Sequence, residues 1–542
     1  MRLPSWLRLT QPHLFILAVT LVFLAALLSR TTFLEQFPPG VNQDEAANGY
    51  DAYALGLTGR DHYGAFWPLL LRTYDDWVPV TLTYMTVPVV RVLGLSATSI
   101  RLVTGLTGVL TCILIYVLAK QLGLSRWTAI TAAALIGLGG WHIHMSRFAI
   151  PPSIVPFFTV IFFLVMFHWL QLPSSTSLRR RLLWGVLLGV CASVLTHAYS
   201  TLNFHLPVFF VFLGVVTWFC RPHLRLSFLI MGLTYAAIAG PLIWITLAEP
   251  DKYNARFQHI TILRQLNPTR LFHQRYSDYL SFEFLFGKGD RVPERQMQNA
   301  PIFPLIALPA LMVGVIGVFQ KVFQGTLEFF SKRTVPTTAI FWLAMIVWVF
   351  LSPIAAALTI DRFHIFRVAQ LFPALVLAIA LGFELLFRII QKCLNRRVAI
   401  GFAGITALWL SVSFCLYVYH YTTTYPPVLS RFFGAGIHQL FPAFLNDPRC
   451  KTRTMSTNTN QPYMYYLFYS QRVPDAQLYQ DVQDKRHIYT MITPKMVDGI
   501  KITHVTQRQV NGLELIERNE TAQPISSLYL TKEGECILVR QY

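Results

Sequence analysis

The stretch LFILAVTLVFLAALLSRTTFLEQFPPGVNQDEAANGYDA, Leu14 to Ala52, decides how the rest of the chain is read. From Leu14 to Leu28 it holds no charged side chain, and it then turns polar and reaches two adjacent carboxylates, Asp44 and Glu45. A helix of about 20 apolar residues crosses the roughly 30 Å hydrocarbon core of a bilayer. Arg2 and Arg8 precede the run, as they would in a signal peptide, yet Ser29-Arg30-Thr31-Thr32 offers no small-residue cleavage site. The run is therefore expected to be an uncleaved first span. The acid pair then stands just outside a membrane, and its meaning depends on what else reaches the same surface.

The 542 residues are 54% hydrophobic and 13% charged, with a mean hydropathy of +0.46. That balance excludes a soluble globular protein and defines an integral membrane protein. Runs free of Asp, Glu, Lys and Arg, apart from Glu384 and Arg388 near the end of one, give eleven candidate spans: 12–29, 102–119, 127–142, 148–170, 182–197, 202–219, 226–248, 301–320, 337–359, 368–390 and 398–420. With the N-terminus inside, the short inner segments hold sixteen basic side chains, among them the Arg179 to Arg181 cluster. The short outer ones hold three, Arg147, Arg362 and Arg367. This bias sets the orientation and accounts for the net charge of +19, so nucleic acid is not an expected partner. A further span at Trp77 to Leu95 would carry Arg91 and invert every later loop, so that segment is expected to be a helix lying in the interface.

The expected fold is thus an α-helical polytopic membrane protein of about eleven transmembrane helices plus interfacial helices. It divides into a membrane domain, 1–420, with outer loops 30–98 and 249–300, and an extracytoplasmic C-terminal domain, 421–542. The C-terminal segment mixes an amphipathic stretch at Pro427 to Leu445 with short β-like runs such as His487-Ile-Tyr-Thr-Met-Ile and Cys536-Ile-Leu-Val, which reads as a small α+β domain. Cys450 and Cys536 are the cysteines expected on the oxidising side, and they are expected to pair. No cysteine spacing resembles a zinc site, and neither a metal nor a cofactor is expected.

Polar groups gather in four places at the outer ends of the spans. They are Asp44 and Glu45 with Asp75 and Asp76 behind them, WHIHMSR from Trp141 to Arg147, YSDYLSFEFLFGKGDR from Tyr276 to Arg291, and DRFHIFR from Asp361 to Arg367. Taken singly, each has an ordinary explanation: interfacial hydrogen bonding for His142 and His144, snorkelling for the arginines, solvated turns for the aspartates. Together, a carboxylate base, fixed guanidinium groups and a groove at membrane level are what moving a group from a lipid-linked phosphate to an acceptor hydroxyl requires.

At these residues the chain resembles the GT-C fold glycosyltransferases, in particular the protein mannosyltransferase and aminoarabinose transferase superfamily and its bacterial members. The likeness rests on DEAANGYDAYALGLTG, SATSIRLVTGLTGVL, WHIHMSRFAIPPSIVP, FLFGKGD and HIFRVAQLFPALVLAIALG, in that order, over residues 10 to 420. The resemblance implies a catalytic base at Asp44 with Glu45 beside it, and a donor-phosphate contact at Arg147. Further donor contacts are expected among His144, His364, Arg367, Asp75, Asp76 and Asp290. It also implies one inverting displacement without a metal. A single mannose-like hexose or aminopentose would pass from a polyprenyl-phosphate donor to an acceptor protein, glycan or lipid at the outer face of the plasma membrane. Where relatives carry His-Pro or Glu-Pro, this chain reads YDDWVPV. The alternative is a transporter or flippase of a lipid-linked or anionic solute that uses the same charges as a binding site.

Overall fold

The structure, a computed structural model, describes residues 11–73, 76–332, 335–458, 461–483, 485–488, 491–505, 507–519 and 526–540. The apolar runs are helical, because a segment in lipid must satisfy its backbone N–H and C=O groups internally. Nine helices among the described residues are long and apolar enough to cross a membrane. They are Pro12–Thr31, Ala97–Gln121, Pro151–Gln171, Leu202–Cys220, Pro222–Ala248, Ala307–Ser331, Thr337–Ala357, Ile365–Cys393 and Arg396–Thr423. The other two runs differ in kind. Run 182–197 lies in a 19-residue helix, Leu178–Thr196, whose first turn carries Arg179, Arg180 and Arg181. Run 127–142 is broken: helix Arg126–Gly137 stops and helix Gly140–Ser146 begins across Leu138-Gly139, where three glycines in four residues weaken helical continuity.

The chain divides into two compact units. The first comprises Met1–Thr32, Gly105–Ser146 and Pro152–Val418 and holds most of the spanning helices. One closely packed helix pair is Ala307–Lys332 against Phe372–Cys393. A Cβ on Gly382 would lie 1.7 Å from the Ala310 carbonyl oxygen, and one on Gly314 would lie 1.9 Å from that of Ala378. Ala310 and Gly314 on one helix, and Ala378 and Gly382 on the other, are each four residues apart, the small-residue spacing that lets two backbones approach in lipid.

The second unit comprises Phe33–Thr104, Arg147–Pro151 and Tyr419–Tyr542. Its first part holds α1 (Gln43–Thr58), the strands β1 (Leu70–Thr73) and β2 (Asp76–Pro79), which form an antiparallel hairpin, and α2 (Thr81–Leu93). At 13 residues α2 is too short to span a bilayer. The C-terminal part contains β3 (Thr452–Ser456), β4 (Lys485–Ile488), β5 (Met491–Pro494), β6 (Met496–Val497), β7 (Ile500–Thr503), β8 (Glu514–Arg518), β9 (Ser526–Leu530) and β10 (Glu535–Arg540). Six of these form a sheet in the order β6-β7-β3-β10-β9-β8, with β3 parallel to both β7 and β10. Parallel pairing needs a crossover, and helices Pro462–Ser470 and Ala476–Asp481 lie between β3 and β7. Cys450, just before β3, is disulfide-bonded to Cys536 in β10, as expected from the sequence. The core of this unit joins Tyr50 and Leu55 from α1 to Phe441, Phe444, Met455, Leu467 and Leu538.

Candidate functional site

The acid pair opens α1. Asn42 caps the helix: its side-chain oxygen accepts from Asp44 N at 2.9 Å, and Glu45 Oε2 accepts from Asn42 N at 3.0 Å, a capping box. Consecutive helical residues point about 100° apart, so the two carboxylates have different surroundings. Glu45 is fully buried. Its Oε1 accepts from Arg101 Nε at 2.9 Å and Ala149 N at 2.8 Å, and its Oε2 accepts from Arg101 Nη2 at 2.6 Å. Arg101, also fully buried, donates its remaining N–H groups to the carbonyls of Leu34, Pro38 and Gly40. Asp44 is exposed. Nothing in the sequence reading singled out Arg101, although it sits in the quoted SATSIRLVTGLTGVL.

Arg147 lies in the same unit and is 4% exposed. It donates to the carbonyls of Phe37 at 2.8 Å and Phe33 at 2.9 Å, and its guanidinium stands 5.9 Å from the ring centre of Tyr421. Asp76 is half-buried in β2 and accepts from Trp77 N. Asp75 lies outside the described residues. A buried dyad that the sequence did not signal stands at the other end of α1. Asp51 Oδ1 meets His62 Nδ1 at 2.6 Å, and beside it burial, then the charge of Asp51, pushes Asp61 up to about 6.

The remaining candidates belong to the first unit. His144 Nε2 meets the Glu294 carbonyl at 2.9 Å, and His142 Nδ1 meets Arg30 Nη2 at 3.0 Å. Asp290 is fully buried: its two oxygens accept from the N–H groups of Val292 and Ile365. Burial pushes its carboxyl up to about 6 against the opposing pull of Arg295. Arg295 bridges Asp290 and Asp361, each at 3.8 Å, and Arg367 holds Asp361 at 2.9 Å. His364 is held well below the usual imidazole range, first by burial and then by Arg367, Arg295 and Arg256, so it is neutral. The same three arginines act on the buried Tyr199 hydroxyl. Arg295 and Arg367 thus share two carboxylates, and Arg295 Nη1 and His364 Nδ1 are buried without a hydrogen-bond partner among the described residues. The cluster is chemically ready for an anion. The structure brings His364, Arg367 and Asp290 together with Asp361, which opens the DRFHIFR stretch, whereas Arg295, Arg256 and Tyr199 carried no signal in the sequence. Arg362 instead forms a two-pronged pair with Asp278, both contacts at 2.8 Å. Among the described residues, no group of three or more His, Cys, Asp or Glu side chains could hold a metal ion.

The fold, with its acid pair after the first span, is similar to that of the GT-C class. Residues 20–247 match the model of the dolichyl-phosphate-mannose-protein mannosyltransferase family, PMT. Among solved structures, ArnT from Cupriavidus metallidurans in the apo state is similar at a TM-score of 0.52 and 15% identity, covering 86% of this chain and 87% of that one. ArnT bound to undecaprenyl phosphate is similar at 0.50 and 14%, covering 87% and 88%. The Archaeoglobus fulgidus oligosaccharyltransferase tethered with an acceptor peptide is similar at 0.50 and 13%, covering 86% of this chain and 59% of that one. These likenesses are of fold. No curated protein sequence matches the chain.

Proposed function

We propose that the protein transfers one sugar from a polyprenyl-phosphate donor to an acceptor hydroxyl on the extracytoplasmic face, with inversion, and that Asp44 is the general base. The observation that carries this reading is the division of the acid pair: Glu45 is fully committed to Arg101 and two backbone N–H groups, while Asp44 is exposed. A base must reach the proton it removes. Asp44 takes the acceptor hydroxyl proton as that oxygen bonds to the anomeric carbon. The bond from that carbon to the phosphate oxygen breaks, and polyprenyl phosphate leaves. A phosphate leaving group needs no general acid, only charge stabilisation.

Among the candidate donor contacts, the cluster of Arg295 and Arg367 with neutral His364 is the better supported anion site, because Arg295 Nη1 and His364 Nδ1 are buried without a hydrogen-bond partner among the described residues. Arg147, bound to two carbonyls, is proposed to hold the 33–37 segment in place. The family match and the undecaprenyl phosphate named for ArnT support a polyprenyl-phosphate donor. A mannose-like hexose or an aminopentose remains the proposed sugar, and a protein, glycan or lipid the proposed acceptor. The basic residues of the short inner segments support an N-terminus inside, with 30–98, 249–300 and 421–542 outside.

The test uses the full chain in lipid, measuring sugar transfer and donor-lipid affinity side by side. Asp44→Asn keeps the shape and removes the proton acceptor, so transfer is expected to fall by about 10²- to 10⁴-fold with donor binding retained. Arg367→Ala is expected to weaken donor binding. Near-normal turnover in Asp44→Asn would overturn the assignment of the base.

A further inference from the structure

The loop that contributes Asp290 and Arg295 to the cation cluster also borders a cavity of about 290 Å³, lined by Lys288, Arg291, Gln298 and Asn299. The loop is firmly built. Lys288 N closes the preceding helical turn onto the Glu283 carbonyl at 2.9 Å, and Phe303 N bonds the Leu285 carbonyl at 2.9 Å. Gln296, 1% exposed, staples the loop from within: its Oε1 accepts from Asp290 N at 2.8 Å and its Nε2 donates to the Ala300 carbonyl. Gly289, at φ +61°, makes room for that amide, since a Cβ there would stand 2.5 Å from it. Asn299 also sits in the left-handed region, at φ 58°, which asparagine tolerates better than most residues.

The four lining residues are exposed. Arg291 is paired with Glu283 and lies 5.4 Å from the Phe363 ring centre. The side chains of Lys288, Gln298 and Asn299 have no hydrogen-bond or ion-pair partner among the described residues. One acid against two cations leaves the cavity positive.

We infer that this cavity is a subsite for an anionic saccharide, a single sugar ring bearing a carboxylate or a phosphate. The ammonium and guanidinium groups provide charge-assisted bonds to the anion. The two amides, each both donor and acceptor, suit the ring hydroxyls. The volume is near the lower end of the roughly 300–1,000 Å³ typical of small-ligand sites, which fits one ring and exceeds what a bare anion needs. That the saccharide belongs to the acceptor rests on the transferase reading above; the binding itself does not.

The experiment measures binding by ligand-observed NMR to the full chain in nanodiscs, with methyl glucuronide, glucose 6-phosphate, methyl glucoside and inorganic phosphate as probes. Lys288→Glu reverses one exposed, unpartnered charge, and an unchanged unfolding temperature verifies that the variant is folded. At least one anionic sugar is expected to bind, and to lose about tenfold or more in affinity in Lys288→Glu, while the glucoside and inorganic phosphate bind about tenfold more weakly than it does. Whichever of glucuronide and sugar phosphate binds tighter identifies the anion. Equal binding of charged and neutral sugars, inorganic phosphate matching the sugar phosphate, or no effect of Lys288→Glu overturns the inference. Donor-lipid affinity is expected to be unchanged in Lys288→Glu; loss of both affinities would merge the cavity with the donor site and overturn a separate subsite. Sugar binding without any transfer would leave the subsite standing and count against the transferase reading alone.

Discussion

Glu45 and Arg101 are bound to each other and sealed from water. Burying two charges is costly, and the cost is offset only where every lone pair and N–H finds a partner; here Asn42 N, Ala149 N and three carbonyls complete the set. Arg101→Ala should therefore destabilise the second unit by about 3–5 kcal/mol, because it strands a buried carboxylate. Arg101→Met combined with Glu45→Leu should cost less than Arg101→Ala alone, and thermal unfolding of the three proteins checks the order. Asp290 gives a pH signature. Its carboxyl is raised to about 6 in the folded chain, so the folded state holds a proton that the unfolded state releases nearer 4. The resulting stabilisation is present below about pH 4 and is lost as pH rises through 6, to the extent of about 2–3 kcal/mol. In Asp290→Asn the change in unfolding temperature between pH 4.5 and 7 should flatten. At this scale the acid pair was legible because two carboxylates beside an apolar run are conspicuous. Arg101 and Arg295 were not, since what distinguishes them from snorkelling cations is a partner brought near only by folding.

Helix extents followed from where charges interrupt apolar runs, which is why most of the eleven expected runs lie within single long helices. The break at 137–140 and the β1–β2 hairpin before α2 depend on backbone preferences over a few residues, and hydropathy averages over these. Helix pairing was less legible still, because small residues in lipid-facing runs look alike until the approach is seen. Gly382 and Gly401 make the point. A methyl on Gly382 would overlap the Ala310 carbonyl, whereas one on Gly401 would meet nothing within 4 Å. Gly382→Ala should lower stability by about 1–3 kcal/mol, the usual cost of overpacking where neighbours cannot yield. Gly401→Ala, on helix Arg396–Thr423, should be neutral or slightly stabilising because alanine is the better helix former. Parallel thermal melts in one detergent separate the two.

For the molecule as a whole, membrane integration was plain from composition, but the gathering of 33–104, 147–151 and 419–542 into one compact unit was not. Nothing local in a sequence marks which distant segments will share a core, and here Tyr50 and Leu55 join residues near Phe441 and Leu538. Closing the segment between Cys450 and Cys536, 86 residues apart, stabilises this unit by about 4–5 kcal/mol in the chain-entropy account. Such a bond persists on the oxidising side of a membrane. In the proposed orientation the second unit lies on that side, and the exposed Cys393, at the end of span Ile365–Cys393 among Arg388, Lys392, Arg396 and Arg397, lies on the other. A membrane-impermeant maleimide applied to intact cells is therefore expected to leave Cys393 unlabelled until the membrane is opened, and to reach Cys450 and Cys536 only after reduction and partial unfolding, since both are buried. Reaction of Cys393 in intact cells would place the basic loops outside. The acid pair would then face the cytoplasm, and the proposed extracytoplasmic transfer would have to be abandoned.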